Sequence, residues 1–245
     1  MRILTLNLHN PIHHEFKAIA AFLDESGAEL LVLTECNRHA TESLGKLLDC
    51  VGVAHAPAPY WGNGLLTRKQ PILTTKALTL PESRHGEKRS AVVAQVRTTC
   101  GTCRFVGTHL DHLTEENRLL QARYLAGNTD LSKSLLLGDL NALTAADYTP
   151  SQWADIAAQR AEAQLSPPAT ELTDWLRNEL GLRDAHDARP ADATFSPTCP
   201  YGTRIDYVLF GPRCGLRLAP GSYTVLEAVN NPRLKSRALW CNLPR

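Results

Sequence analysis

The 245-residue sequence lacks both a strong excess of one charge and an apolar run long enough to cross a membrane. Lys and Arg number 26 and Asp and Glu 25, which leaves a formal net charge of +1. A basic stripe for a long nucleic acid usually brings a marked basic excess, so this balance disfavours such a footprint but still allows anionic substrates. No run of about 18 apolar residues occurs, and the amino terminus opens on a strand-like stretch without a signal-peptide pattern. We therefore expect a cytoplasmic or otherwise intracellular protein with no transmembrane segment.

The seven cysteines do not form the pattern of a disulfide framework, because their number is odd and their spacing irregular. Cys100 and Cys103 form a single CxxC motif in the stretch "TTCGTC". A zinc ribbon needs a second such pair, and none stands at suitable spacing. We interpret the two residues as thiols beside a glycine-containing hairpin turn.

Apolar stretches of strand length alternate with amphipathic helical stretches along most of the chain. Several strands adjoin as hairpins, which favours a mixed-sheet α/β sandwich over a doubly wound parallel sheet. Residues 144–193 are less regular and contain a Pro167-Pro168 break between two predicted helices, 151–164 and 171–180. We expect a single domain over residues 1–245 with an irregular helical insertion around 144–193.

Polar side chains recur at the ends of the predicted strands, where a random surface would scatter them through loops. The stretch "SLLLGDLNAL" is typical, since three leucines run directly into Asp139 and Asn141. Burying a carboxylate is costly unless it is paired or binds a metal, so this pattern needs a chemical reason. The residues in question are Asn7, Glu35, His109, Asp111, Asp139, Asn141 and Asp206.

This set of residues suits a magnesium-dependent reaction on a phosphate. Mg²⁺ prefers oxygen ligands and often takes only one or two carboxylates, with waters and substrate phosphate completing its shell. Glu35 is a candidate ligand, with Asn7 and Asp139 nearby. Because side chains alternate along a strand, Asp139 and Asn141 are expected on one face, where they could hold an attacking water. His109 could donate to a phosphoryl oxygen.

In order, the motifs "TLNLHN", "VLTECN", "WGNGLLTR", "GTHLDH", "LLLGDLNAL" and "GTRIDYVLF" resemble those of the endonuclease/exonuclease/phosphatase superfamily over nearly the whole chain. The resemblance implies a four-layer α/β/β/α sandwich with two mixed, mainly antiparallel sheets. It also implies phosphoester hydrolysis by one-step attack of water, dependent on Mg²⁺ with Mn²⁺ as a substitute. Nucleic acid, a phospholipid head group and a sugar phosphate all stay open as substrates, and no protein partner is evident.

The resemblance also assigns roles to individual residues. Asn7 and Glu35 match the metal-side pair, and His109 matches the phosphate-contacting histidine. Asp139 and Asn141 match the pair that orients water. Asp206 matches the carboxylate that orients a catalytic histidine.

That catalytic histidine is missing, because the expected Ser-Asp-His before the last strand is Ser236-Arg237-Ala238. A general acid–base histidine contributes about 10²–10⁴-fold in rate, so two hypotheses follow: a phosphoester hydrolase, weakened or not, and an impaired phosphate- or nucleic-acid-binding relative. Arg237 could repel Mg²⁺ or bind a substrate phosphate, and Arg118 on a helix could contact a phosphate or brace the "THLDH" turn. Rescue by a histidine from a loop stays open, the candidates being His85, His112 and His186.

Overall fold

The computed structural model describes residues 1–10, 15–57, 61–82, 88–189 and 195–226, and the backbone of 238–242. Two six-stranded sheets pack face to face, with helices on their outer faces. Each sheet has one parallel pair of strands and is otherwise antiparallel. The predicted four-layer α/β/β/α sandwich with mixed, mainly antiparallel sheets is therefore confirmed.

The first sheet has the strand order β11-β12-β1-β2-β4-β3. Its parallel pair is β1 and β2, in which Asn7 lies opposite Thr34. Its strands are β1 (Arg2–Asn7), β2 (Leu30–Thr34), β3 (Val51–His55), β4 (Asn63–Thr67), β11 (Thr224–Leu226) and β12 (Ala238–Asn242).

The second sheet has the order β5-β6-β7-β8-β10-β9. Its parallel pair is β7 and β8, and Cys100 precedes Gly101 in the hairpin turn between β6 and β7, as the sequence predicts. Its strands are β5 (Ile72–Thr79), β6 (Ser90–Thr98), β7 (Gly101–His109), β8 (Ser134–Asp139), β9 (Arg183–Asp184) and β10 (Asp206–Phe210).

Three apolar cores hold these layers together. One lies between the sheets, a second joins the first sheet to two helices, and the third joins the second sheet to two others. The helices are α1 (Phe16–Glu25) and α2 (Arg38–Leu48) on the first sheet, α3 (Glu115–Asn128) and α5 (Glu171–Asp174) on the second, and α4 (Pro150–Glu162) between β8 and β9. None of the helices in the described parts of the chain combines the length and apolar character that crossing a bilayer requires.

Two local predictions need correction. The helix predicted over 171–180 is a short α-helix that ends at Asp174 and continues as a π-helical turn over Trp175–Glu179. Strand β8 ends at Asp139, and Asn141 has a left-handed backbone with φ 50°. Asp139 and Asn141 therefore do not share a strand face; a turn after the strand places them near each other.

Candidate active site

The strand ends of both sheets meet at one edge of the sandwich. Asn7 and His109 end β1 and β7, and Glu35 directly follows β2. Asp139 ends β8 and lies opposite His109 in the parallel pair. Because β10 runs antiparallel to β8, its first residue, Asp206, lies opposite Asp139 at this same edge. The topology thus places these predicted site residues together, and all of them, with Asn141, line one cavity of about 620 Å³.

Unusual backbone conformations aim the side chains at the cavity. Glu35 and Asn141 both have positive φ, at 48° and 50°, a region that non-glycine residues seldom occupy. Gly138 has φ 137°, and a Cβ built there would lie 1.9 Å from the carbonyl oxygen of Thr108. Only glycine therefore lets β8 approach β7 closely enough to set Asp139 beside His109.

The amide of Asn7 links carboxylates from the two sheets. Its Nδ2 donates to Glu35 Oε1 at 2.9 Å and to Asp139 Oδ2 at 3.1 Å. The backbone N–H of His9 donates to Asn7 Oδ1 at 2.9 Å, which fixes the orientation of the amide. Asn7 therefore holds the two carboxylates close together despite their like charge.

His109 is a buried, neutral imidazole with a defined tautomer. Asn141 Nδ2 donates to the Leu110 carbonyl at 3.0 Å and faces His109 Nε2 at 2.9 Å. The carbonyl bond fixes the amide, so Nε2 is the acceptor and the ring proton lies on Nδ1. Nδ1 has no hydrogen-bond partner among the described residues and lies 3.9 Å from Glu35 Oε1. Burial, and then the charge of Arg89, lower the pKa of His109.

Asp139 and Asp206 form a buried acidic pair. Burial raises the pKa of Asp139 to about 6, Glu35 adds to the rise, and hydrogen bonds from Asn7 and Asn141 oppose it. Burial and the charge of Asp139 raise the pKa of Asp206 well above its ordinary value. Asp206 Oδ1 has no hydrogen-bond partner among the described residues. The site therefore concentrates negative charge that these residues do not fully balance.

The donor set suits a hard divalent cation that keeps most of its waters. Among the residues that the structure describes, no group of three or more His, Cys, Asp or Glu could hold a metal alone. Mg²⁺ does not require such a group, since one or two carboxylates with waters and substrate oxygens suffice. Glu35 and Asp139, joined through Asn7, offer carboxylate oxygens at one point, and the unpartnered Asp206 oxygen adds negative charge there. These residues fit Mg²⁺ better than a softer metal.

Trp61, Arg89 and His112 form a second group of side chains on the cavity wall. The Arg89 guanidinium lies 3.9 Å from the Trp61 ring centroid, and its Nη2 donates to His112 Nδ1 at 2.8 Å. The His112 ring stacks on Trp61 with centroids 5.9 Å apart. No local sequence signal joins these residues, because they come from three separate segments.

Three other predicted site residues are not part of this lining or cannot be placed. Arg118 does not line the cavity; its Nε donates to Glu115 at 2.7 Å and its Nη1 to the Asp111 carbonyl at 3.2 Å. Asp111 Oδ1 accepts from two backbone N–H groups of the following turn. Arg237 lies outside the described residues.

The loop histidines differ in where the structure places them. His112 lines the cavity, whereas His186 is buried elsewhere, with its Nδ1 3.3 Å from Asp147. His85 lies outside the described residues. His9, which the sequence did not single out for the site, also lines the cavity, with its Nδ1 3.9 Å from Glu35 Oε2.

The chain matches the model of the Endonuclease/Exonuclease/phosphatase family over residues 4–225. No curated protein matches its sequence. Among solved structures, an endonuclease/exonuclease/phosphatase from Beutenbergia cavernae is 18% identical, with a TM-score of 0.70, over 99% of this chain and 71% of that one.

Two further structures cover this chain completely. The mannosyl-6-phosphatase Bt3783 of Bacteroides thetaiotaomicron is 14% identical over all of both chains, with a TM-score of 0.68. The human Nocturnin catalytic domain with bound sulfate is 16% identical over 94% of its own length, with a TM-score of 0.69. These likenesses support the fold, and the family match over most of the chain shows that this chain belongs to the endonuclease/exonuclease/phosphatase family.

Proposed function

We propose that this member of the endonuclease/exonuclease/phosphatase family hydrolyses a phosphoester, with Mg²⁺ as cofactor and Mn²⁺ as a substitute. The observation that carries the proposal is the buried carboxylate cluster around Asn7, together with a neutral His109, in one cavity. Such a cluster costs free energy in the folded protein, and a bound cation would offset that cost. Nucleic acid, phospholipid and sugar phosphates all carry the required phosphoester.

Glu35, with Asn7 beside it, would hold the metal, which supplies charge neutralisation for the phosphate and for the leaving oxygen. Asp139 would accept a hydrogen bond from the attacking water, and the Asn141 amide would hold that water in line with phosphorus. A pKa of about 6 leaves Asp139 mostly ionised at neutral pH, which suits a proton acceptor. Asp139 and Asn141, on either side of the turn after β8, would thus position the attacking water.

His109 would contribute a hydrogen bond. Its Nδ1–H is a buried donor without a partner among the described residues, so a phosphoryl oxygen placed there would satisfy it. Asp206, with its raised pKa, would carry the proton that two adjacent carboxylates must share. The neutral form of His109 donates without adding a charge of its own.

An alternative is a phosphate-binding relative with little turnover, favoured by the missing histidine. Strand β12 is antiparallel to β1, and Leu239 pairs with Thr5, so Ala238 lies near the edge where β1 ends at Asn7. An alanine there provides no acid–base group. His9 and His112, which line the cavity, are the described histidines that could take over that work.

A hydrolysis assay tests the proposal. The purified protein is incubated with Mg²⁺ or Mn²⁺ and a panel of single-stranded nucleic acid, phospholipids and sugar phosphates, beside Asp139→Asn and Glu35→Gln. Glu179→Gln is the matched control, since Glu179 is exposed and does not line the cavity. We expect activity that is lost by about 10²–10⁴-fold in Asp139→Asn and retained in Glu179→Gln.

Activity that persists in both site variants would refute the assigned site. Absence of hydrolysis, with Mg²⁺ and phosphate binding that Glu35→Gln abolishes, would instead favour the binding relative. A double His9→Gln, His112→Gln variant then tests the substitute histidines: a rate equal to wild type would exclude both.

A further inference from the structure

The cavity has a second wall that the proposed chemistry does not use. Asn7, Glu35 and their neighbours form one side, and the other is mostly apolar. We call it the apolar wall: Leu143, Ile156, Ala163, Leu165, Pro200, Tyr201 and Ile205. It is built by the chain after β8, by α4 and the turn that follows, and by the loop before β10.

The apolar wall does not belong to the protein's own cores. Leu143 and Ile156 are 5% and 9% exposed, yet neither is a member of the three cores formed by the described residues. Ile156 is the one buried residue of α4, so this helix contributes little to packing elsewhere. At the mouth, Leu165 is 40% and Tyr201 81% exposed. Apolar side chains placed together beside convergent polar groups are typical of a ligand site.

The polar groups near this wall argue against a sugar or a long nucleic acid. Arg160 Nε donates to the carbonyl of Ser166 at 2.6 Å, so part of its guanidinium is engaged, whereas its buried Nη2 has no hydrogen-bond partner among the described residues. Besides Arg160, the polar residues on this side are Gln159, Thr198, Cys199 and Thr203. The Thr198 hydroxyl already accepts from two backbone N–H groups and the Thr203 hydroxyl contacts Cys199 Sγ, which leaves few hydrogen-bond partners for a sugar ring. Binding to a nucleic-acid backbone needs several cations along the strand, and the described residues that line the cavity include two, Arg89 and Arg160.

We infer that the substrate is a phosphoester that carries an apolar alkyl or aryl group next to its phosphate, and that this group lies on the apolar wall. The inference rests on the proposed phosphoester site, because that site places the phosphate. It adds the substrate class, which the carboxylates and His109 alone do not select. The apolar group could belong to a small soluble ester or to a lipid.

Calorimetric binding of alkylphosphonates tests this without requiring turnover. Methyl-, butyl- and hexylphosphonate share one head group and differ only in chain length. With Mg²⁺ present, each methylene buried on the apolar wall should tighten binding about threefold to fourfold. Glucose phosphate and a nucleoside monophosphate serve as polar comparisons and should bind more weakly than hexylphosphonate.

Two variants locate the effect. Leu165→Gln and Tyr201→Ser change exposed side chains and should therefore fold; each should reduce the gain from methyl to hexyl while leaving methylphosphonate affinity unchanged. Leu47→Gln is the matched control, because Leu47 is 49% exposed on α2 and does not line the cavity. It should keep the full dependence on chain length.

The outcomes separate this inference from the proposed function. The inference alone would be overturned if methylphosphonate binds but longer chains do not increase the affinity. It would also be overturned if a nucleoside monophosphate binds as tightly as hexylphosphonate. A gain that survives both wall variants would also overturn it. Phosphonates that fail to bind at any chain length would overturn both proposals. Phosphatidylcholine vesicles then show whether the apolar group belongs to a small ester or to a lipid. Hydrolysis of a short-chain soluble ester but not of the vesicles indicates a small molecule. Hydrolysis of both indicates a lipid.

Discussion

Two buried aspartate pairs lie close together in this fold and are balanced differently. Asp147 and Asp184 share Arg204, whose Nη2 and Nη1 lie 2.8 Å from the two carboxylates. Asp139 and Asp206 have no Arg or Lys ion pair among the described residues. Arg204 stands only two positions before Asp206, yet among the described residues it pairs with Asp147 and Asp184 and not with Asp206.

The pKa values follow this difference. Burial raises the pKa of Asp147, but a hydrogen bond from His186 and the charge of Arg204 outweigh it, so the pKa lies below its ordinary value. In the other pair burial dominates, and both pKa values rise. A buried charge without a partner is expensive, so we propose that the unbalanced pair accepts a cation from outside, whereas the balanced pair serves the fold.

Removing the cation from the balanced pair should produce the largest change, a loss of folding stability. We expect Arg204→Met to destabilise the protein by about 3–5 kcal/mol, because it leaves two buried carboxylates facing each other. Asp139→Asn should leave stability unchanged or raise it, since it removes an unbalanced charge. Urea unfolding of both variants measures this, and equal losses of stability would contradict the distinction.

Restoring a histidine beside Asp206 should produce the next largest change, an increase in turnover rate. The double variant Arg237→Asp, Ala238→His restores the motif at the edge where β1 ends, and should raise the turnover rate about 10²-fold or more. Arg237→Asp alone is the control, because it changes the charge without adding a histidine. Steady-state rates on the best substrate decide; no gain in the double variant would indicate that another residue does this work.

The pH dependence of stability should show a smaller effect. In metal-free protein, Asp139 has a pKa of about 6 against an ordinary 3.8, so between these values the folded state keeps a proton that the unfolded state has lost. The free energy of unfolding should therefore fall as pH rises through this window, by up to about 3 kcal/mol. Asp139→Asn should reduce this slope; equal slopes would show that Asp139 is not the group responsible.

Much of the site's layout could be predicted from the sequence because strands are short-range features. Apolar runs that end in Asn7 or Asp139 indicate both a buried strand and a polar side chain at its end. Parallel pairing of neighbouring strands then brings these ends to the same edge of a sheet. The strand pattern predicts a mixed-sheet α/β sandwich, and the four layers, which are confirmed, come from the family resemblance of the ordered motifs. The relation of Asp139 to Asn141 was not predicted correctly, because a left-handed turn at Asn141 overrides strand periodicity.

The features of the site that the sequence does not predict depend on contacts between distant segments of the chain. Nothing near Arg89 in the sequence indicates that it packs on Trp61 and His112. No local sequence signal indicates the apolar wall either. Ile156 has the pattern of an ordinary helix residue, and only the packing of α4 shows that it lines the cavity. From the sequence, Arg118 could contact a phosphate or brace the "THLDH" turn, and its contacts with Glu115 and the Asp111 carbonyl match the second role.

The most direct test of the central claim is Mg²⁺ binding to the carboxylate cluster of Glu35, Asp139 and Asp206. Calorimetry with thermal unfolding should detect one Mg²⁺ site, and stability should rise by about 2.7 kcal/mol at a free Mg²⁺ concentration a hundredfold above the dissociation constant. Glu35→Gln should abolish that rise, and Glu179→Gln should leave it intact. Stabilisation that is absent from the wild type, or equal in Glu35→Gln, would contradict the account.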